Sequence, residues 1–306
     1  MRIYFPHGGK HEQKKRENRH HIRGGGLGRA ILPDVRAKYP DAHLLYTDGN
    51  PAVWGTDISG IGVVSPEAAL VAPDAGFVVV IASLQGYRSI RAKLKETFKI
   101  ADSAIDDSFS KTLHKQTFAV RDEFVRAFSR IVSERKLGGS CAEGGVFEGD
   151  FAAVINSAFP DRKLYLFDTF SGFDQKDLKN ESEFTKTRKN GFRSEMTAQH
   201  ILSRMAAPEH IEIKKGYFPE TAHGIEDEFI FVNLDFDLYA PTLEGLKFFY
   251  PKLKKGGVIL VHDYFAMDVA KEFSFSKVKN AVDEFCAAND LPFYPIGDKL
   301  SVAITK

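Results

Sequence analysis

The chain has 306 residues, 43% of them hydrophobic and 27% charged, which is the make-up of a globular protein with room for two domains. Lys plus Arg (42) nearly balances Asp plus Glu (41), so overall charge argues against nucleic acid or an anionic membrane as partner. No apolar run nears the roughly 20 residues needed to span a bilayer, and two distant cysteines make neither a disulfide framework nor a metal knot. With no signal peptide pattern at the N-terminus, a cytoplasmic location is expected.

The first 29 residues hold eight Lys/Arg, two Glu and four His and read as a solvated basic segment. Next comes "GGGLGRAILPDVRAKY", a glycine turn leading into a helix. "AHLLYTDGNP" is a strand ending at Asp48. "GIGVVSPEAAL" and the strand "GFVVVIAS" follow, then the helical stretch "YRSIRAKLKETF". The polar, Ser/Asp-rich "ADSAIDDSFSKTLHKQ" reads as a linker, which divides the chain into domains 1–112 and 113–306.

The second half opens with a helix in "RDEFVRAFSRIVSERKLGG", ended by Gly138 and Gly139. Five strands then alternate with helices: "SCAEGG", "RKLYLFD", "HIEIKKG", "EFIFVNLDFD" and "GGVILVHD". "VKNAVDEFCAAN" adds a helix and "SVAITK" a closing strand. Apolar runs alternating with helices in both halves predict an α/β protein of two Rossmann-like domains, each with a mostly parallel sheet.

Ligands of such sheets bind beyond the carboxyl ends of the strands. The unusual residues of the second half gather there: Glu143 to Gly149, Asp168, Gly216, Asp235 with Asp237, and His262 with Asp263. Each has a plain explanation, since an acid after a strand often caps the next helix and a glycine often only turns the chain. As an ordered set they point to one crevice. "AEGGVFEGDFA" spaces Glu143, Gly145 and Gly149 as E-x-G-x-x-x-G, and Asp168 follows at about the distance at which an acid holds ribose hydroxyls. The glycine spacing departs from the dinucleotide pattern and fits a nucleoside without a pyrophosphate.

From about Arg121 to the end the chain resembles the macrocin O-methyltransferase family. The resemblance rests on "AEGGVFEGDFA", "LFDTFSGF", "KKGYFPET", "LDFDLYAPT", "YPKLKKGGVILVHDY" and "VKNAVDEF" in order. It implies a class I fold and transfer of a methyl group from S-adenosyl-L-methionine to a hydroxyl of a sugar, in a glycan or glycosylated metabolite. By resemblance, Glu143, Gly145 and Gly149 face the methionine end of the cofactor. Asp168, with Thr169 and Phe170, faces the ribose, and Gly216 with Tyr217 lies near the adenine. The family binds Mg2+ or another divalent cation with strand-end aspartates; Asp235 and Asp263 match, and His262 stands in place of an aspartate. Asp235 is the first candidate base and His262 the second, while Asp237 is read as a cap for the helix near Pro241. The loop from Ser171 to Thr197 is expected to cover the acceptor.

The first half resembles the nucleotide-binding units of sugar-modifying enzymes through "GGGLGRAIL", "YTDGNPAVWG" and "GIGVVSPEAAL". Arg23 stands where that pattern has a glycine, which favours a structural domain over a cofactor site. Two further readings stay open: an NAD- or nucleotide-sugar-using enzyme working through the first half, and a non-catalytic binding protein. The partners expected are a small-molecule or glycan substrate, with no nucleic acid and no membrane span; homo-oligomerisation stays open.

Overall fold

The structure is a computed structural model that describes residues 2–6, 28–29, 31–49, 51–70, 77–83, 87–179, 181, 197–265 and 277–306. The glycine turn 23–27 and most of the 171–197 loop lie outside the described residues. So does the segment Arg19–Arg23 that precedes that turn. The chain forms two compact units, Met1–Thr117 and Phe118–Lys306.

The N-terminal unit is built on a six-stranded sheet of order β3-β4-β2-β1-β5-β6. Its strands are β1 (Arg2–Pro6), β2 (Ala42–Thr47), β3 (Asp57–Ile58), β4 (Ile61–Val64), β5 (Val78–Val80) and β6 (Ile105–Asp106). Helices α1 (Leu32–Lys38), α2 (Pro66–Leu70) and α3 (Tyr87–Glu96) accompany them. β2 pairs in parallel with β4, and β5 with β6. The central strand departs from the parallel sheet expected for this half, because β1 runs antiparallel to both β2 and β5. The apolar, β-prone "RIYFP" at the start of the chain fills that central place.

Helix α4 runs from Ser108 to Glu134, so the segment read as a polar linker holds a short turn, strand β6 and then the first turns of α4. The polar composition misled, but no Gly or Pro interrupts residues 103–137. Asp106 also fixes the start, its Oδ1 accepting from Ser108 N at 3.0 Å.

The C-terminal unit holds a seven-stranded sheet of order β12-β13-β11-β10-β7-β8-β9. The strands are β7 (Ser140–Gly144), β8 (Leu164–Asp168), β9 (Ile211–Lys215), β10 (Phe229–Leu234), β11 (Leu253–Val261), β12 (Phe293–Pro295) and β13 (Val302–Thr305). β7 to β11 are all parallel, and β13 runs antiparallel against β11 and β12. Strand β10 is buried at every position, as a run that is apolar but for Asn233 requires of a strand covered on both faces. Helices α5 (Asp150–Ala158), α6 (Gln175–Leu178), α7 (Ala198–Leu202), α8 (Tyr239–Lys252) and α9 (Val278–Asn289) complete the unit. One core cluster joins β10 and β11 to Leu246, Phe249, Val282 and Phe285 of α8 and α9. Another joins Val125 and Val132 of α4 to Phe151 and Ile155 of α5 and to Phe231. After β7 the chain moves to β8 on one side and returns through β10 on the other. The carboxyl ends of β7 and β10 therefore flank the switch point at which α/β sheets open a crevice.

Candidate active site

The turn after β7 is shaped by contact with β10. Gly145 has φ +83°, and a Cβ there would sit 2.0 Å from the carbonyl oxygen of Asp235. A Cβ on Gly144 would sit 2.2 Å from the Phe236 ring. Only glycine lets the two strand ends meet this closely. Gly149, at φ +76°, precedes helix α5. Glu143 is buried beside this turn. Its Oε1 accepts from Asn233 Nδ2 at 3.1 Å, while its Oε2 has no hydrogen-bond partner among the described residues. Burial first, and then the Asp235 charge, push its carboxyl well above the usual range.

Asp168 closes the other side of the turn. Its Oδ2 accepts from Val146 N (2.7 Å) and Phe147 N (2.9 Å), and its Oδ1 accepts from Phe170 N (2.6 Å). Thr169 Oγ1 donates to Gly172 O at 2.6 Å. Gly216, at φ +139°, follows β9 and donates its N–H to Asp168 O at 3.0 Å. Tyr217 OH donates to Asp177 Oδ1 at 2.9 Å. Burial, followed by that carboxylate, raises the Tyr217 phenol. The structure thus gathers Glu143, Gly145, Gly149, Asp168, Thr169, Phe170, Gly216 and Tyr217 around the ends of β7, β8 and β9.

Across the switch point lies a compact charged group. Asp235 Oδ2 accepts from Arg121 Nη1 at 2.9 Å, and its Oδ1 lies 3.0 Å from His262 Nδ1. The same nitrogen lies 3.1 Å from Asp263 Oδ1. Burial alone would raise the Asp235 carboxyl, but His262 and then Arg121 outweigh it and hold it below the usual range. Burial opposes charge on His262, yet Asp235 and Asp263 raise its pKa to about 10. Protonated in this way His262 has no lone pair to accept a proton, which leaves the ionised Asp235 as the remaining candidate base.

Asp237 does not cap α8. The helix begins after Leu238 with no capping side chain of its own, and its first N–H, Tyr239 N, is met by Glu181 Oε1 at 2.9 Å. Asp237 instead sits at φ +65° with a hydrogen bond to Asp263. Burial, then the charges of Asp263 and Asp235, push its carboxyl well above the usual range.

Two residues of this site carry no motif. Asn233 orients Glu143 from inside an apolar strand. Arg121, only 6% exposed, reaches Asp235 from α4. The signal for Arg121 is its position in a helical apolar stripe with Phe118, Val125, Phe128 and Val132, where a charge needs a partner.

The parallel sheet, its reversed last strand and a glycine turn facing a strand-end acid define a methyltransferase that uses S-adenosyl-L-methionine. The donor's requirements match what stands here: a glycine cradle that a Cβ would fill, and a buried carboxylate oxygen still without a donor. The particular family follows from the sequence profile of macrocin-O-methyltransferase (TylF), which matches residues 93–293. The chain belongs to that family and is an O-methyltransferase. No curated protein matches it. Among solved structures it is similar to the O-methyltransferase NovP, with 22% identity over 61% of this chain and 79% of that one, at a TM-score of 0.50. It is also similar to the calicheamicin methyltransferase CalS11, at 15% identity over 74% and 94% and a TM-score of 0.48. TomG from Streptomyces achromogenes, solved with S-adenosyl-L-methionine, shares 15% identity over 78% and 93%, at a TM-score of 0.42. At 22% identity the likeness to NovP speaks to the fold alone. No helix among the described residues is long and apolar enough to cross a membrane.

Proposed function

We propose that this enzyme methylates a hydroxyl of a sugar, in a glycan or glycosylated metabolite, with the chemistry carried by the C-terminal domain, 113–306, and a divalent cation assisting. The observation that carries this reading is the ionised Asp235 at the switch point, beside the glycine turn and within reach of His262 and Asp263. The sugar comes from the family resemblance, whose members methylate sugar hydroxyls of natural products. The N-terminal domain, 1–112, is read as a structural domain.

The donor supplies a methyl group on a positively charged sulfur. Glu143 faces its methionine end, Asp168 with Thr169 and Phe170 its ribose, and Gly216 with Tyr217 its adenine. Asp235 takes the proton of the acceptor hydroxyl as the oxygen attacks, which matters because a sugar hydroxyl is a poor nucleophile while protonated. The glycine turn and the two strand ends hold donor and acceptor in line.

The donor set also fits a cation. Asp235, His262 and Asp263 each offer one ligand atom, all within 4.8 Å of one another. Burial, then the charges of Asp263 and Asp235, push the Asp237 carboxyl well above the usual range, the direction expected where carboxylates crowd together. Asp235 and Asp263 would hold the ion, with His262 as a third ligand in its neutral form, and the ion would lower the acceptor's pKa. The test is Asp235→Asn, assayed for methyl transfer to a panel of sugar acceptors. Loss of at least a thousandfold in kcat is expected, with S-adenosylhomocysteine still bound. Chelation should slow the wild type and Mg2+ or Mn2+ restore it. A fully active Asp235→Asn enzyme overturns the assignment of the base, and full rate in excess chelator removes the ion alone.

A further inference from the structure

Helix α4 buries Val125 and Val132 in the core it shares with α5 and β10. Beside that face runs a second apolar stripe that stays open to solvent. Val120 and Ile131 are 43% and 44% exposed, and Phe124 and Ala127 stand between them, partly buried. All four belong to the C-terminal unit. A single exposed apolar side chain is ordinary on a protein surface. These four are spaced by steps of four, three and four residues. That alternation keeps a row of side chains on one line of a helix, as in the seam between two packed helices. Phe124, the largest of the row, is already fixed: its ring stacks on Phe128, 6.5 Å between centroids and 10° from parallel. Little ordering is left for a partner to impose there.

The order of residues along the stripe selects its occupant. Laid antiparallel on a second copy of itself, Phe124 meets Ala127 and Val120 meets Ile131, each pair occurring twice. Large then faces small at both inner positions. Parallel pairing would set Phe124 on Phe124 and Ala127 on Ala127, a crowded layer next to a gap. The flanking charges agree. Glu123 and Arg130 each precede a stripe residue by one, and they form an exposed ion pair at 2.9 Å within the chain. In the antiparallel arrangement Glu123 of each copy comes beside Arg130 of the other, which closes a ring of four alternating charges. Parallel pairing would instead turn Glu123 toward Phe128 and Arg130 toward Arg135. We propose that this stripe is a homodimer interface, in which α4 of one copy packs antiparallel on α4 of a second about a two-fold axis near Val125 and Arg126. From Val120 to Ile131 the contact is about 18 Å long. It is therefore at the small end of specific interfaces, and the dimer exchanges with monomer as concentration falls.

Sedimentation equilibrium of the full chain tests this, with a reversible monomer–dimer equilibrium expected for the wild type. Glu123→Arg and Arg130→Glu each place like charges opposite one another and should weaken the dimer at least tenfold. Mixed in equal amounts, the two variants oppose unlike charges at every position, and dimerisation should return. The two side chains are 64% and 62% exposed, so these exchanges leave the fold in place, as circular dichroism will register. Cross-linking reads the direction of pairing. With both Val120→Cys and Ile131→Cys in one chain, mild oxidation should give a disulfide-linked dimer. Within one chain the two positions are about 16 Å apart along the helix, too far for a bridge. Val120→Cys alone should stay uncoupled, and the native Cys141 and Cys286 are buried. A wild type that is monomeric at every concentration overturns the proposal. So does a dimer indifferent to the charge exchanges, or one that the mixture fails to restore. Coupling of Val120→Cys alone as readily as of the double variant would show parallel pairing and overturns it too.

Discussion

Asp168 and Asp235 sit at strand ends on either side of the switch point and are handled in opposite ways. Asp168 is held by three backbone N–H groups of the chain that surrounds it, from Val146, Phe147 and Phe170. Asp235 is held by two side chains that carry charge, Arg121 and His262. A carboxylate bonded to main-chain amides fixes a loop and keeps spare lone pairs for a ligand's hydroxyls. A carboxylate bonded to cationic side chains is tuned electrostatically and stays ionised at neutral pH. The first arrangement shapes a subsite; the second keeps a charged carboxylate in place at the switch point.

The most direct way to break this contrast is to separate the two strand ends. Gly145→Ala would push a methyl group into the Asp235 carbonyl, at a backbone angle that L-residues avoid. Loss of about 3 kcal/mol or more is expected from the clash and strain together, measured by urea unfolding, with S-adenosylhomocysteine binding lost. Gly138→Ala is the control, because nothing lies within 4 Å of its Cβ position. Its stability should stay within about 1 kcal/mol of the wild type. Equal stability in the two variants would mean that the strand ends do not meet this tightly.

A smaller effect sharpens the Asp168 side. Asp168→Asn keeps the shape but turns one acceptor oxygen into a donor facing a backbone N–H. A cost of about 2 kcal/mol is expected, since one charge-assisted bond becomes a donor facing a donor. S-adenosylhomocysteine should also bind at least tenfold more weakly. Weaker binding with unchanged stability would place Asp168 as a ligand contact alone and take away its role as the clasp of the turn.

Most of the C-terminal sheet was legible because its strands are short apolar runs ending in Gly or Asp, and parallel burial leaves that pattern little freedom. The acids at those ends could be read as a set for the same reason. Partners could not. That Asp168 meets amides depends on how the glycine turn folds back on it, and that Asp235 meets Arg121 depends on α4, whose register against the sheet no local pattern states. Arg121 was passed over because a charge inside a helical stripe looks like an exception to periodicity and not like a site. Asp237 was misread as a cap because acid before helix is the commoner arrangement, whereas here Glu181 meets the helix from more than fifty residues away. In the N-terminal unit the run of apolar strands predicted parallel pairing, but periodicity carries no information on the direction of a strand, and β1 runs the other way.

Asp177 tests whether a third carboxylate, on the Asp168 side, belongs to either pattern. Among the described residues it has neither a cationic clamp like that of Asp235 nor an amide clasp like that of Asp168; it accepts from the Tyr217 hydroxyl. Burial raises its pKa from 3.8 to about 6, with the Tyr217 hydrogen bond opposing, and Asp174 and Glu181 adding to the rise. The native state therefore binds this proton more tightly than the unfolded chain does. Its contribution to stability falls as pH rises from about 4 to about 6 and is flat above that. Asp177→Asn keeps an acceptor for Tyr217 and cannot ionise. Relative to the wild type it should gain stability over that interval, by up to about 3 kcal/mol at pH 7. Urea midpoints of both proteins at pH 4.5 and pH 7 give the difference directly. A variant that is no more stable relative to wild type at pH 7 than at pH 4.5 would show Asp177 to be solvated, and the Tyr217 hydroxyl would then lack the fixed anchor that this side of the crevice gives it.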